Sequence, residues 1–87
     1  MSKLIIAIGP ARSGKTTAGK QWLDKGGKKR MYDYGPSETK SILSSLEQGF
    51  DVWVNVNTSE IPYALRLVAL PASTTIEVQH FKRTEEQ

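Results

Sequence analysis

One stretch limits what this chain can fold into more than any other. It is Gly9-Pro10-Ala11-Arg12-Ser13-Gly14-Lys15-Thr16, which fits the pattern G-x-x-x-x-G-K-[ST]. Before it stands Lys3-Leu4-Ile5-Ile6-Ala7-Ile8, a nearly continuous apolar run that reads as a central parallel strand covered on both faces. After it comes a helix-compatible run from Thr17 to Lys25, closed by Gly26-Gly27. Strand, glycine loop and helix in that order are the context the pattern requires.

The residue types in the loop point to phosphate. Gly9 and Gly14 lack a Cβ, so the chain is expected to wrap tightly and turn backbone N–H groups onto phosphate oxygens. Lys15 is expected between the β- and γ-phosphates, and the Thr16 hydroxyl on a Mg²⁺ ion. The following helix aims its positive end at the same anion. The expected binding segment is therefore Gly9, Pro10, Ala11, Arg12, Ser13, Gly14, Lys15, Thr16 and Thr17. Its expected ligands are Mg²⁺ and ATP or GTP, since no base-reading motif separates the two.

The 87 residues allow one small domain of marginal stability. Hydrophobic content of 38% and charged content of 24% suit a folded chain rather than a disordered one. No apolar run approaches the ~20 residues that cross a bilayer, and Met1-Ser2-Lys3 opens no signal peptide. With no cysteine there is no disulfide, thiolate metal site or cysteine nucleophile. These features fit a cytoplasmic protein. A net charge of +3 permits nucleic acid as a partner without demanding it.

Further along, Arg30-Met31-Tyr32-Asp33-Tyr34 reads as a second strand ended by Gly35-Pro36. Ser37 is the expected cap of a second helix, with Glu38 in its first turn and Ile42, Leu43 and Leu46 as its apolar stripe. Gly49 stops that helix and Phe50 anchors its exit. Asp51 to Asn57 alternates, with Val52, Val54 and Val56 on one face, as a third strand. Thr58 or Ser59 caps a short third helix, with Pro62 in its first turn and Pro71 beyond its end. Leu65, Val68 and Ala69 are its expected buried residues. Thr74 to Phe81 forms a half-polar edge strand that alternates Ile76, Val78 and His80 with polar residues, and a charged tail follows.

The order β-α-β-α-β-α-β predicts an α/β fold with a mostly parallel sheet between helices. Ligand is then expected outside the carboxyl ends of the strands. That rule brings the glycine loop, Asp33-Tyr34 and Asn55 to Asn57 to one rim. Trp22 and Trp53 sit at periodic positions that favour packing over stacking a base. His80 has no partner at a metal-ligand or triad spacing. Lys25, Lys28, Lys29 and Arg30 read as a solvated helix exit or as a patch for nucleic acid.

Three stretches carry a resemblance to the P-loop nucleotide and polynucleotide kinases. They are residues 4–17 with the glycine loop, Thr39-Lys40-Ser41-Ile42-Leu43, and Gly49 to Asn57; the first is the specific one. The resemblance implies a small three-layer P-loop NTPase-like fold with strand order 2-3-1-4. In that family the third strand ends in an Asp that holds the Mg²⁺ water shell. The corresponding residue here is Asn55, which accepts a hydrogen bond from metal-bound water but brings no charge. The resemblance makes Asp33 the candidate acid, with Lys15, Thr16, Asn55 and Asp33 as the catalytic set. Asp51, at the far end of its strand, is expected to face solvent.

The family also places arginines after the fourth strand, over the transferring phosphoryl group. Here that stretch offers Lys82 and Arg83. Kinase activity depends on shutting out water, so this pattern implies a weak ATPase raised by a homo-oligomeric or other protein partner. Arg12, Arg66 and Arg83 are the candidate arginine fingers. A nucleotide-dependent switch without turnover is the alternative from another class, and a reduced kinase is the third reading.

Overall fold

The computed structural model describes residues 2–10, 13–65, 67 and 74–82. The apolar run before the glycine loop becomes β1 (Ser2–Ile8), and the run after it becomes α1 (Lys15–Leu23). Next come β2 (Lys29–Asp33), a 3-10 turn over Pro36–Glu38 and α2 (Thr39–Glu47). β3 (Asp51–Val56) leads through a 3-10 turn, Thr58–Glu60, into the single-turn α3 (Ile61–Ala64), and β4 (Thr74–His80) follows.

The four strands form one sheet in the order β2-β3-β1-β4, and every pairing is parallel. β1 lies between β3 and β4, with Leu4 opposite Val52 on one side and Ile76 on the other. Being central explains its composition, because a strand covered on both faces needs apolar side chains on both.

Helices cover the two faces, giving three layers. On one side Ile42 and Leu46 of α2, with Ala64 and Leu67, pack on Leu4, Ile6, Val52, Val54 and Val56. On the other side Ala18 and Trp22 of α1 meet Ile5, Ala7 and Trp53, joined by Met31 and Phe81. The valine alternation of β3 therefore faces α2, while Trp53 and Asn55 face the α1 side. Trp53 is 2% exposed and its ring centroid lies 5.7 Å from that of Trp22. Both tryptophans pack within the protein, as their spacing implies.

Gly19 explains how closely α1 approaches the sheet. A Cβ there would run into the Met31 sulfur and come within 2.9 Å of Trp53 Nε1. Alanine at this position gains about 1 kcal/mol of helix propensity, but overpacking against a fixed indole outweighs it. Gly19→Ala is expected to lower stability by roughly 1–2 kcal/mol, read from the denaturant midpoint. A midpoint above that of the wild-type protein would refute this packing account.

Several local expectations change. Ser37 lies inside the Pro36–Glu38 turn, which begins at the extended Gly35, so Ser37 is not the cap of α2. The third helical segment is opened by Asn57 rather than Thr58 or Ser59. Asn57 N–H donates to Glu60 Oε1 at 3.3 Å, and Glu60 N–H donates to the Asn57 carbonyl at 2.8 Å. Of the expected stripe Leu65, Val68 and Ala69, Leu65 is not buried. Ala64 and Leu67 are buried while Leu65 is 58% exposed, so the buried pair stands three residues apart, at i and i+3. Val68, Ala69 and Pro71 lie outside the described residues.

At the edge, β4 buries little. Ile76 packs against the core, whereas Val78 is 45% exposed and His80 is exposed. Asp51 is half-buried rather than solvent-facing, since its Oδ1 accepts a hydrogen bond from Lys3 N–H at 3.0 Å. It satisfies a backbone donor at the start of β1. Among the described residues no helix is long and apolar enough to cross a membrane.

Three of the four cations after α1 are engaged internally. Lys29 Nζ donates to the Trp22 carbonyl at 3.0 Å and sits 4.9 Å from the Trp22 ring centroid. Lys28 Nζ donates to the Gln48 carbonyl, and both Lys28 and Arg30 lie over Phe50. Arg30 also reaches the buried Ser45 hydroxyl, which pairs with Tyr32 Oη at 2.8 Å. These contacts tie the α1 exit to α2 and favour a structural role for the cluster.

Candidate functional site

Parallel strands that all point one way bring their following loops to one rim. Here the rim holds a cleft of about 400 Å³. One wall runs from Ser13 to Thr17, at the start of α1. The facing wall is Asp33 and Tyr34 from the end of β2, Asn55 and Asn57 from the end of β3, and Glu60. The juxtaposition of loop, second-strand end and third-strand end matches the sequence expectation.

The two loop glycines serve different ends. Gly14 has φ near +90°, the left-handed region, with open space where a Cβ would stand. It lets the chain turn directly into α1. Gly9 is buried, and a Cβ there would lie 2.6 Å from the Phe81 carbonyl oxygen and 2.9 Å from Ser13 Oγ. Its need is for space. Neighbouring strands fix the loop's start, since Gly9 N–H donates to the Val56 carbonyl at 3.1 Å and Phe81 N–H donates to the Ile8 carbonyl at 2.7 Å.

Lys15 is 7% exposed. Its Nζ donates to the carbonyls of Gly9 and Pro10, at 2.5 and 2.8 Å, with Ser13 Oγ at 3.5 Å. Burial pulls its pKa below the ordinary lysine range, and the negative charges of Asp33 and Glu60 oppose that fall. The one salt bridge among the described residues is Lys3 to Glu77, so Lys15 has no carboxylate within bridging distance there. A buried ammonium held by neutral carbonyls is short of a counter-ion.

Thr16 and Thr17 are exposed in the first turn of α1 and line the cleft. Their position lets hydroxyls and the helix's unpaired N–H groups face a ligand. Pro10 contributes its carbonyl to Lys15. Ala11 and Arg12 lie outside the described residues, as do Arg66 and Arg83. Lys82 is exposed and is not part of the cleft wall.

Asp33 and Asn55 are direct neighbours across the β2–β3 ladder. Trp53 Nε1–H donates to Asn55 Oδ1 at 2.7 Å, and Asn55 Nδ2 donates to Asp33 Oδ1 at 3.1 Å. Chemistry fixes which way this amide points. The indole only donates and an ionised carboxylate only accepts, so the oxygen must face Trp53 and the nitrogen Asp33. Asn55 is 6% exposed while Asp33 is exposed at the rim. The accepting oxygen expected to meet metal-bound water is thus already engaged by the core.

Asn57 lines the cleft as the rim expectation had it, whereas Glu60 is a cleft residue that the sequence reading did not single out. The signal was present in the spacing Asn57-x-x-Glu60 directly after β3, which is that of a helix start. Tyr34 is buried and its hydroxyl donates to the Tyr63 carbonyl at 3.1 Å, so it both lines the cleft and packs the core. Tyr32 is held by Ser45 away from the cleft wall. Among the described residues, no group of three or more His, Cys, Asp or Glu side chains is placed to hold a metal ion by itself. A magnesium ion here would share its ligands with a phosphate and water, which Thr16, Asp33 and Glu60 suit chemically. In comparisons with protein-family models, curated proteins and solved structures, the chain has no match.

Proposed function

We propose that the cleft binds a nucleoside triphosphate with Mg²⁺, as in the P-loop kinases the chain resembles, and that the protein is a weak ATPase raised by assembly. The observation that carries this reading is Lys15: buried, hydrogen-bonded only to neutral oxygens, and placed at the start of a nine-residue helix. A phosphate chain supplies the counter-ion it lacks and accepts from the helix's N–H groups as well. Asp33 and Glu60 on the facing wall favour a metal-bound phosphate over a bare one, because their charges repel an uncompensated anion. The cleft wall contains no arginine among the described residues. Charge stabilisation by an arginine contributes about 10³–10⁵ in rate where it is present, which is why turnover by the lone chain is expected to be slow.

The same lack of an arginine among the described wall residues favours a second reading, a switch that binds nucleotide without cleaving it. Calorimetry with Mg²⁺–ATP and Mg²⁺–GTP, light scattering with and without nucleotide, and a phosphate-release assay separate the two. Binding with phosphate release supports the ATPase, and binding with a change in mass and no release supports the switch. Label transferred to an added acceptor supports the kinase reading. An absence of binding to either nucleotide at millimolar concentration overturns all three.

Lys15 gives a pH signature. A triphosphate favours the protonated amine, so affinity is expected to fall as pH rises through the lowered pKa of the free protein. Losing one charged hydrogen bond of about 1.5–3 kcal/mol corresponds to roughly 10–100-fold in affinity. The sign for folding is opposite. The unfolded chain binds this proton more tightly, so the contribution of Lys15 to stability rises with pH over the same alkaline window. Lys15→Arg, which stays charged, should remove both trends. An alkaline fall in affinity of equal size in Lys15→Arg would assign the effect to another group.

A further inference from the structure

The Trp53–Asn55–Asp33 chain has a direction. Trp53 is locked in the core between Trp22 and Phe81. Its indole fixes the amide of Asn55, and the amide's far end meets a carboxylate that stands exposed at the cleft. An exposed aspartate at a strand end ordinarily samples several rotamers, and a hydrogen bond from a buried, pre-oriented donor narrows that choice. We infer that Asn55 is a positioning residue: anchored by the Trp53 indole, it holds the Asp33 carboxylate at the cleft, and Asp33 supplies the charge that orders magnesium-bound water.

This rests on the triphosphate reading of the cleft and assigns its acidic partner. The alternative division of labour, with Asn55 itself meeting the water, asks one amide oxygen to serve the indole at 2.7 Å and the metal shell together. The amide nitrogen has nothing to offer a metal, since it only donates. Asp33 retains free oxygen lone pairs after accepting one bond from Asn55. An aspartate at 55 would put a second carboxylate about where the Asn55–Asp33 bond of 3.1 Å now lies. With one charge at 33, an uncharged donor is the side chain that fits beside it.

The test compares ATP dissociation constants in Mg²⁺ and in EDTA for the full chain, Asp33→Asn and Asn55→Ala. Asp33→Asn should lose about 10–100-fold of the Mg²⁺-dependent gain in affinity, the range for a group that orients a metal's outer shell, with EDTA affinity unchanged or tighter. Asn55→Ala should lose part of the same gain. It should also shift the NMR signal of the Trp53 indole N–H while leaving that of Trp22 in place. A purely structural defect would weaken binding equally with and without the metal. Where Asn55→Ala fails to fold because it strands the buried indole N–H, Asp33→Asn at its exposed position carries the test alone. Retention of the full Mg²⁺ gain in Asp33→Asn overturns the inference. If the wild-type chain binds no nucleotide, the reading of the cleft falls. The clamp is then judged separately, by whether the Asn55 side-chain amide signals move in Asp33→Asn; unmoved signals overturn it too.

Discussion

Lys15→Ala is expected to reduce affinity for Mg²⁺–ATP by about 10²–10³-fold, equivalent to roughly 3–4 kcal/mol, and to bring phosphate release to background. The size follows from what is removed: the one cation among the described residues of the cleft wall, in a buried setting where its field is poorly screened. The fold should survive. In the free protein the ammonium is buried, which lowers its pKa, and its hydrogen bonds are to loop carbonyls. Removing it therefore relieves one penalty while exposing those oxygens to water. The melting temperature of the variant should stay within a few degrees of wild type, and Mg²⁺–ATP should no longer raise it. Calorimetry, a thermal melt and a phosphate assay on one preparation check all three. Phosphate release that persists at the wild-type rate would remove Lys15 from the site.

Gly9→Ala should be the most damaging single-methyl change in the glycine loop. The added carbon would stand 2.6 Å from the backbone oxygen of Phe81 and 2.9 Å from Ser13 Oγ. Main chain cannot swing aside as a flexible side chain does. The Phe81 N–H to Ile8 carbonyl bond at 2.7 Å holds that segment in place. Either the β4 exit or the loop must shift, at about 2–3 kcal/mol, which for a domain of this size lowers the melting temperature by roughly 8–24 °C. Nucleotide binding should fall with it, since the Gly9 carbonyl is one of the oxygens that place Lys15. Gly14→Ala makes the comparison sharp. That position has room but φ near +90°, so the loss is about 1–2 kcal/mol of backbone strain. Equal losses at the two positions would refute the distinction between space and conformation.

Much of this architecture was legible because the signals are local. The β-branched run before the loop, the glycine pair and the valine alternation of β3 each mark an element whose type depends on its own residues. Element order then dictated a parallel sheet, and the order β2-β3-β1-β4 agrees with what the family resemblance implied. What escaped was set by contacts distant in sequence. Leu65 looked buried by spacing, but among the described residues it is Ala64 and Leu67 that pack on the sheet. Asp51 looked solvent-facing until β1 brought the Lys3 amide beside it. In the cleft, Asp33 and Asn55 were both singled out from the sequence, yet their bond to each other was not readable. It depends on the β2–β3 register and on Trp53 pointing the same way as Asn55. Gly9 was assigned to tight wrapping, while the pressure on it comes from residue 81, seventy-two positions later.

The central place of β1 bears on how the chain assembles. Its ladder partners are Asp51–Val56 and Thr74–His80, so β1 must wait for distant, later segments before any of its edge groups is satisfied. Closing such long loops is slow, and parallel pairing has no hairpin shortcut. The glycine loop is suspended from β1 and braced by Val56 and Phe81, so in refolding it should mature late, after helical signal has already returned.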